Sequence, residues 1–158
     1  MAAPNIRRRT RQAAVQALYQ WQMTQQPIDV ICDQFRLRVS AKKIDHDFFG
    51  ELLLGVSSDI EAIDALLAPV TDRPITELDP VERAILRLAV FELRSQIQTP
   101  WRVVIDEAVN LALVFGAEQS HRFVNGVLDK LARKTRPDVE GDSGSTLAPA
   151  TKSAPPAK

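Results

Sequence analysis

Residues 45–69 read DHDFFGELLLGVSSDIEAIDALLAP, and this stretch decides the fold class. Phe49, Leu52, Leu53, Val56, Ile60, Ile63 and Leu67 recur mostly at steps of three and four, the period of one face of an α-helix. Asp45 is placed to cap its start, and Pro69 to end it. Burying these seven side chains contributes on the order of 10–20 kcal/mol gross, before the entropy of ordering them. The spacing predicts one core helix across the stretch.

The same period extends in both directions. A first helix is expected from about Arg7 to Gln25, with Ala14, Val15, Leu18 and Gln22 on its stripe and Pro27 beyond its end. A short second helix follows over about Asp29 to Val39. Asp79-Pro80-Val81-Glu82 is a helix start: Asp79 caps, Pro80 suits the first helical position, and Glu82 stands where a capping box places its acid. Val81 to Leu93 is apolar on nearly every face, as in a central helix. Thr99-Pro100 opens another helix, with Val104, Ala108, Leu111 and Phe115 on one face and Gly116 at its stop. The last helix is expected over about Glu118 to Lys134, with Val124, Val127, Leu128 and Leu131 inward. Asn125-Gly126 falls inside that period, so it reads as helix and not as a hairpin turn; Gly126 is expected to mark a close helix–helix contact. No strand-like alternation appears, and the expected class is all-α. Residues 137–158 are rich in Pro, Ala and Ser, cannot repay their ordering entropy, and are expected to form a disordered tail behind one helical domain.

The 158 residues include 20 basic and 20 acidic ones, so net charge neither favours nor disfavours a nucleic-acid partner. Cys32 is the single cysteine, which excludes an internal disulfide. No apolar run reaches the ~18 residues of a membrane span, and the N-terminus lacks the features of a signal peptide. A soluble, cytoplasmic protein is expected.

Nothing in the pattern assembles an active site. Cys32 and His46 form a conceivable nucleophile–base pair, but Cys32 lies beside a helical stripe and His46 follows a cap. Zinc spacings and a glycine-rich phosphate loop are both missing. Asp106-Glu107 and Asp45-His46-Asp47 gather carboxylates at helix starts, where negative charge is favoured anyway.

Cations are the stronger signal. Arg7, Arg8, Arg9 and Arg11 crowd a helix N-terminus, the end that disfavours positive charge. One reading is a solvated, frayed terminus. The other is a phosphate grip, since arginine forks match phosphate geometry and a polyanion would relieve their repulsion. Arg122-Phe123 in the last helix and Trp101-Arg102 in the helix before it each set a ring beside a cation at a helix start. That mixture suits single-stranded RNA, which asks for ring faces for bases and cations for phosphates.

Three segments, RRRTRQAAVQALYQWQ, ELDPVERAILRLAVFEL and IDEAVNLALVFGAEQSHRFVNGVLDKLA, resemble the NusB family of transcription antitermination factors, over about residues 6 to 136. The resemblance implies about seven helices in two packed halves, no enzymatic activity and no cofactor or metal. It implies binding of boxA, a short single-stranded element of ribosomal RNA leaders, together with the ribosomal protein NusE. It also implies attachment to the RNA polymerase elongation complex through other Nus factors, as a monomer or homodimer. Carried over, Arg7, Arg8, Arg9, Arg11, Trp101, Arg102, Arg122 and Phe123 are the expected RNA-binding residues. Tyr19, Glu82, Phe115 and Gln119 are the expected partner-binding residues. Val70 stands where some relatives carry a tyrosine near the RNA, so one stacking contact is expected to be missing. Two rivals stand beside this reading. One is a protein-docking module whose arginines are incidental. The other is the NusB-like front of a ribosomal-RNA cytosine methyltransferase, which needs a methyl-donor domain where this chain has its low-complexity tail.

Overall fold

The structure is a computed structural model and describes residues 4–136. Among these, seven α-helices account for nearly all regular structure: α1 (Pro4–Thr24), α2 (Ile28–Arg38), α3 (His46–Ser58), α4 (Ile60–Leu67), α5 (Pro80–Ser95), α6 (Trp101–Phe115) and α7 (Ser120–Thr135). Two short 3-10 turns, Ala68–Val70 and Ile75–Glu77, join α4 to α5. The expected tail, residues 137–158, lies outside the described residues.

The quoted stretch is helical, yet it is two helices where one is expected. Asp59 leaves helical geometry at ψ 21°, so the chain turns between α3 and α4. The apolar period survives the turn, because both pieces bury the same kind of face. Phe49, Leu52, Leu53, Val56, Ile63 and Leu67 are all inaccessible, while Ile60, beside the break, is half-buried. Asp45 caps α3 as its position suggests, accepting a 3.0 Å hydrogen bond from the Phe48 N–H.

The helices pack as two halves. α1, α2 and α3 contact one another, α5, α6 and α7 do the same with α4 alongside, and α1 meets α5 at the seam. Asp79 caps α5 through the N–H groups of Val81 and Glu82. The expected capping box does not close: the Glu82 carboxylate accepts from the Ser120 hydroxyl at 2.7 Å and holds the start of α7 instead. At the other end of α5, the buried Arg136 guanidinium donates to the carbonyls of Glu92, Leu93 and Gln96. It thereby supplies a donor to the Leu93 oxygen, one of those a helix C-terminus leaves unpaired, and a second donor to the Glu92 and Gln96 oxygens, which already accept the N–H groups of Gln96 and Thr99.

The expected close contact at Gly126 is absent, since a Cβ there would meet open space. The tight position is Gly55, where a Cβ would collide with the Phe91 ring as α3 crosses α5. Sequence spacing cannot tell these two glycines apart, because the neighbour that matters is distant in the chain. Gly55→Ala is expected to cost about 1–3 kcal/mol through overpacking. Gly126→Ala is expected to add up to about 1 kcal/mol through helix propensity. Urea unfolding of the two variants checks both signs.

Candidate nucleic-acid and partner interface

Side-chain contacts orient the helices. Arg8 reaches Glu107 of α6, Arg11 reaches Glu92 of α5, and Gln22 donates to the carbonyl of Pro80. The start of α1 therefore lies beside the middle of α6 and the end of α5. The end of α1 lies beside the starts of α5 and, through Glu82 and Ser120, of α7. The expected site residues fall at these two ends, separated by about ten helical residues, or roughly 15 Å of rise.

The four N-terminal arginines have four different surroundings. Arg11 is buried, with both carboxylate oxygens of Glu92 at 2.8 and 2.9 Å from its guanidinium. Burial opposes its charge, but the hydrogen bonds and charge of Glu92 outweigh that and hold the guanidinium pKa above its usual value. Arg11 is therefore turned into the fold and not toward solvent, and the expectation of four arginines facing RNA is corrected at this position. Arg8 makes a fork-to-fork pair with Glu107 at 2.9 and 3.2 Å while its side chain remains half exposed. Arg7 stacks its guanidinium 3.7 Å from the centre of the Phe48 ring, which occupies a face and leaves the in-plane N–H groups available. Arg9 donates to the carbonyl of Lys43 at 2.8 Å. Among the described residues, neither Arg7 nor Arg9 has a carboxylate partner within ion-pair distance.

Trp101 is the second correction. It is buried in the core, and the exposed Arg102 lies 4.8 Å over its ring. The ring is a platform for Arg102 and does not present an open face to a base. Trp101 opens α6 after a link of only five residues, 96–100, from the end of α5, and the two helices pack against each other.

At the opposite end Arg122 is exposed and Phe123 half-buried. Arg73, from the turn between α4 and α5, lies 5.5 Å over the Phe123 ring and pairs with its neighbour Asp72. Sequence reading missed Arg73. A lone arginine before a proline in a loop carries no signal until the fold sets it over a ring. Val70 is buried beneath this turn. The expected partner residues gather at the same end. Tyr19 is 40% exposed, Gln119 is exposed at the start of α7, Phe115 is partly buried at the end of α6, and Glu82 is partly buried against Ser120.

Cys32 is buried and its thiol is pushed up by desolvation, the opposite of an activated thiolate. His46 is engaged with the Val39 carbonyl at 2.7 Å. Among the described residues no group of three or more His, Cys, Asp or Glu is placed to hold a metal, and no helix is long and apolar enough to cross a membrane.

The fold defines the class first: a seven-helix, two-half bundle shared with NusB of T. maritima, at a TM-score of 0.79 and 28% identity over 90% of this chain and 99% of that one. A crystal structure of antitermination factors NusB and NusE in complex with dsRNA shares the fold at a TM-score of 0.71 and 24% identity, over 84% of this chain and 99% of that one. The sequence is also 49% identical over 134 residues to the transcription antitermination protein NusB of Idiomarina loihiensis, covering 85% of this chain and 96% of the relative. Residues 8–133 match the model of the NusB family. The chain belongs to the NusB family, and with it to the transcription antitermination factors.

Removing one partner of a buried ion pair strands the other charge. Arg11→Ala is expected to cost about 3–5 kcal/mol in urea unfolding. Arg9→Ala, on the surface, should stay within about 0.5 kcal/mol.

Proposed function

We propose that the protein binds a boxA-type single strand of nascent ribosomal RNA leaders together with NusE. In this reading it acts in the cytoplasm as a non-catalytic adaptor that joins the transcribing polymerase through other Nus factors. The observation that carries the RNA part is the pair Arg7 and Arg9, two surface guanidinium groups without carboxylate partners among the described residues, in a chain of zero net charge. Family membership supplies the partner, and a fold neighbour that holds both NusE and RNA supports the combination.

The strand is engaged at both ends of the bundle in this reading. Arg7, Arg9 and Arg102 contact phosphates at one end, with Arg8 available once a phosphate displaces Glu107. Arg122 contacts a phosphate at the other, where the partly exposed Phe123 ring stacks a base. NusE docks at that second end, over Tyr19, Gln119 and the corner held by Glu82 and Ser120. Adjacent ligands that each bury surface beside the other reinforce each other reciprocally.

The internal pairing of Arg8 and Arg11 favours a second reading, a protein-docking module whose arginines serve the fold. The two readings separate in salt titrations. Each single-strand phosphate contact contributes about −0.7 to the slope of log K against log salt. Arg7→Ala with Arg9→Ala is expected to flatten that slope by about 1.4 units, two contacts at 0.7 each. An unchanged slope, or no retention of boxA RNA by the parent at low salt, rejects the RNA reading. For the partner, Tyr19→Ala is expected to weaken NusE binding about tenfold, the range of an aromatic anchor at a contact centre, while RNA binding without NusE stays as in the parent. Calorimetry with each ligand alone measures both.

A further inference from the structure

We infer that the turn between α2 and α3 forms an extension of the RNA surface, contacting the phosphate backbone of nucleotides that flank the boxA-type element. This rests on the RNA reading above. The segment Arg36-Leu37-Arg38-Val39-Ser40-Ala41-Lys42-Lys43 carries four cations in eight residues. The fold brings it against the start of α1: Arg9 donates to the Lys43 carbonyl, and Arg7 stacks on Phe48 just beyond the turn. Arg7, Arg9, Arg36, Arg38, Lys42 and Lys43 thus form one cationic surface from two chain segments, and among the described residues no carboxylate is within ion-pair distance of any of them. The acids closest in sequence are Asp45, whose carboxylate is occupied by the Phe48 N–H, and the exposed Asp33 and Asp47, none of them paired with a cation of this surface.

The display is fixed in place. Ser40 accepts from the Lys42 N–H through its hydroxyl and from the Lys43 and Ile44 N–H groups through its carbonyl. Ile44 is buried, His46 is bonded to the Val39 carbonyl, and Arg36 donates to the His46 carbonyl. The turn is therefore tied at both ends, and Arg38, Lys42 and Lys43 are exposed on its surface. Ordering such cations beforehand lowers the entropy lost on binding. A cleft of about 300 Å3 opens between the turn and α1, lined by Ile6, Ala41, Ile44 and His46 and by the two acids Asp45 and Asp47, so the cations lie around its rim and not on its walls. Cations with no carboxylate partner, close together, in a chain whose total charge is zero, favour a polyanion over an acidic peptide patch of matching shape, since phosphate repeats along a strand and needs no shape match.

The test uses the full chain, the triple variant R38A/K42A/K43A, and two RNAs: the boxA-type element alone, and the same element extended on both sides by unstructured oligouridine. All three side chains are exposed, and the Lys43 carbonyl that holds Arg9 is kept, so the fold is retained; an unchanged thermal melt verifies this. For the extended RNA the variant is expected to flatten the salt slope by about 2 units, three contacts at 0.7 each. For the short element the slope is expected to stay as in the parent. A parent-like slope on the extended RNA overturns the inference while leaving the boxA reading intact. Equal flattening on both RNAs overturns the assignment to flanking nucleotides. A parent that retains neither RNA overturns both readings together.

Discussion

The buried pair of Arg11 and Glu92 decides how the rest of the molecule presents itself. Both side chains are about 95% out of solvent, with exposures of 5% and 3%, and they meet through two hydrogen bonds. Desolvating two charges is costly, and only such doubly bonded geometry repays it. The pair therefore permits essentially one rotation of α1 against α5. With Arg11 turned inward, helical geometry of 100° per residue sets Arg7 and Arg8 to its two sides and Arg9 nearly opposite. That is what the contacts show: Arg7 lies on Phe48 of α3, Arg8 on Glu107 of α6, and Arg9 over the turn at Lys43. One internal ion pair thus fixes which cations remain for a ligand.

Periodicity made the helices legible, because burial of an apolar stripe is a local property of sequence. It predicted α1, α2, α5, α6 and α7 to within a few residues, and the cap at Asp45. It could not show the break at Asp59. The change of direction there leaves only Ile60 of the stripe half-buried, so the apolar period runs on through it. The site was legible only as residue types. Guanidinium groups at 7, 8, 9 and 11 look equivalent in the sequence, and the acids that separate them are 81 and 99 residues away. Trp101 illustrates the same limit. A tryptophan beside an arginine at a helix start reads as a stacking pair, whether the ring faces outward or, as here, inward beneath its neighbour.

Glu82 shows how a local signal can be right about position and wrong about role. It stands at the capping-box position, yet Asp79 alone caps α5, and the Glu82 carboxylate accepts the Ser120 hydroxyl. Ser120 in turn accepts the Ala117 N–H, so the corner between α6 and α7 hangs from one side chain of α5. The first turn of α7, with Arg122 and Phe123, follows directly from that corner. Any contact that pulls Glu82 away from Ser120 therefore acts on the residues that follow it, and this links the corner at Glu82 physically to the ring at Phe123.

Counting charged residues, then, is a poor measure of a surface; counting those without a partner is a better one. Of the four clustered arginines, two are committed to carboxylates. Arg8 and Arg11 nonetheless differ. Arg8 is half exposed, and a solvated ion pair contributes little, so a phosphate could take the place of Glu107 at small cost. Arg11 cannot exchange its partner without leaving the Glu92 carboxylate charged and buried, a state far costlier than any single phosphate contact could offset. The division between holding the fold and meeting a ligand is thus set by burial, and it falls between neighbouring residues of one helical turn.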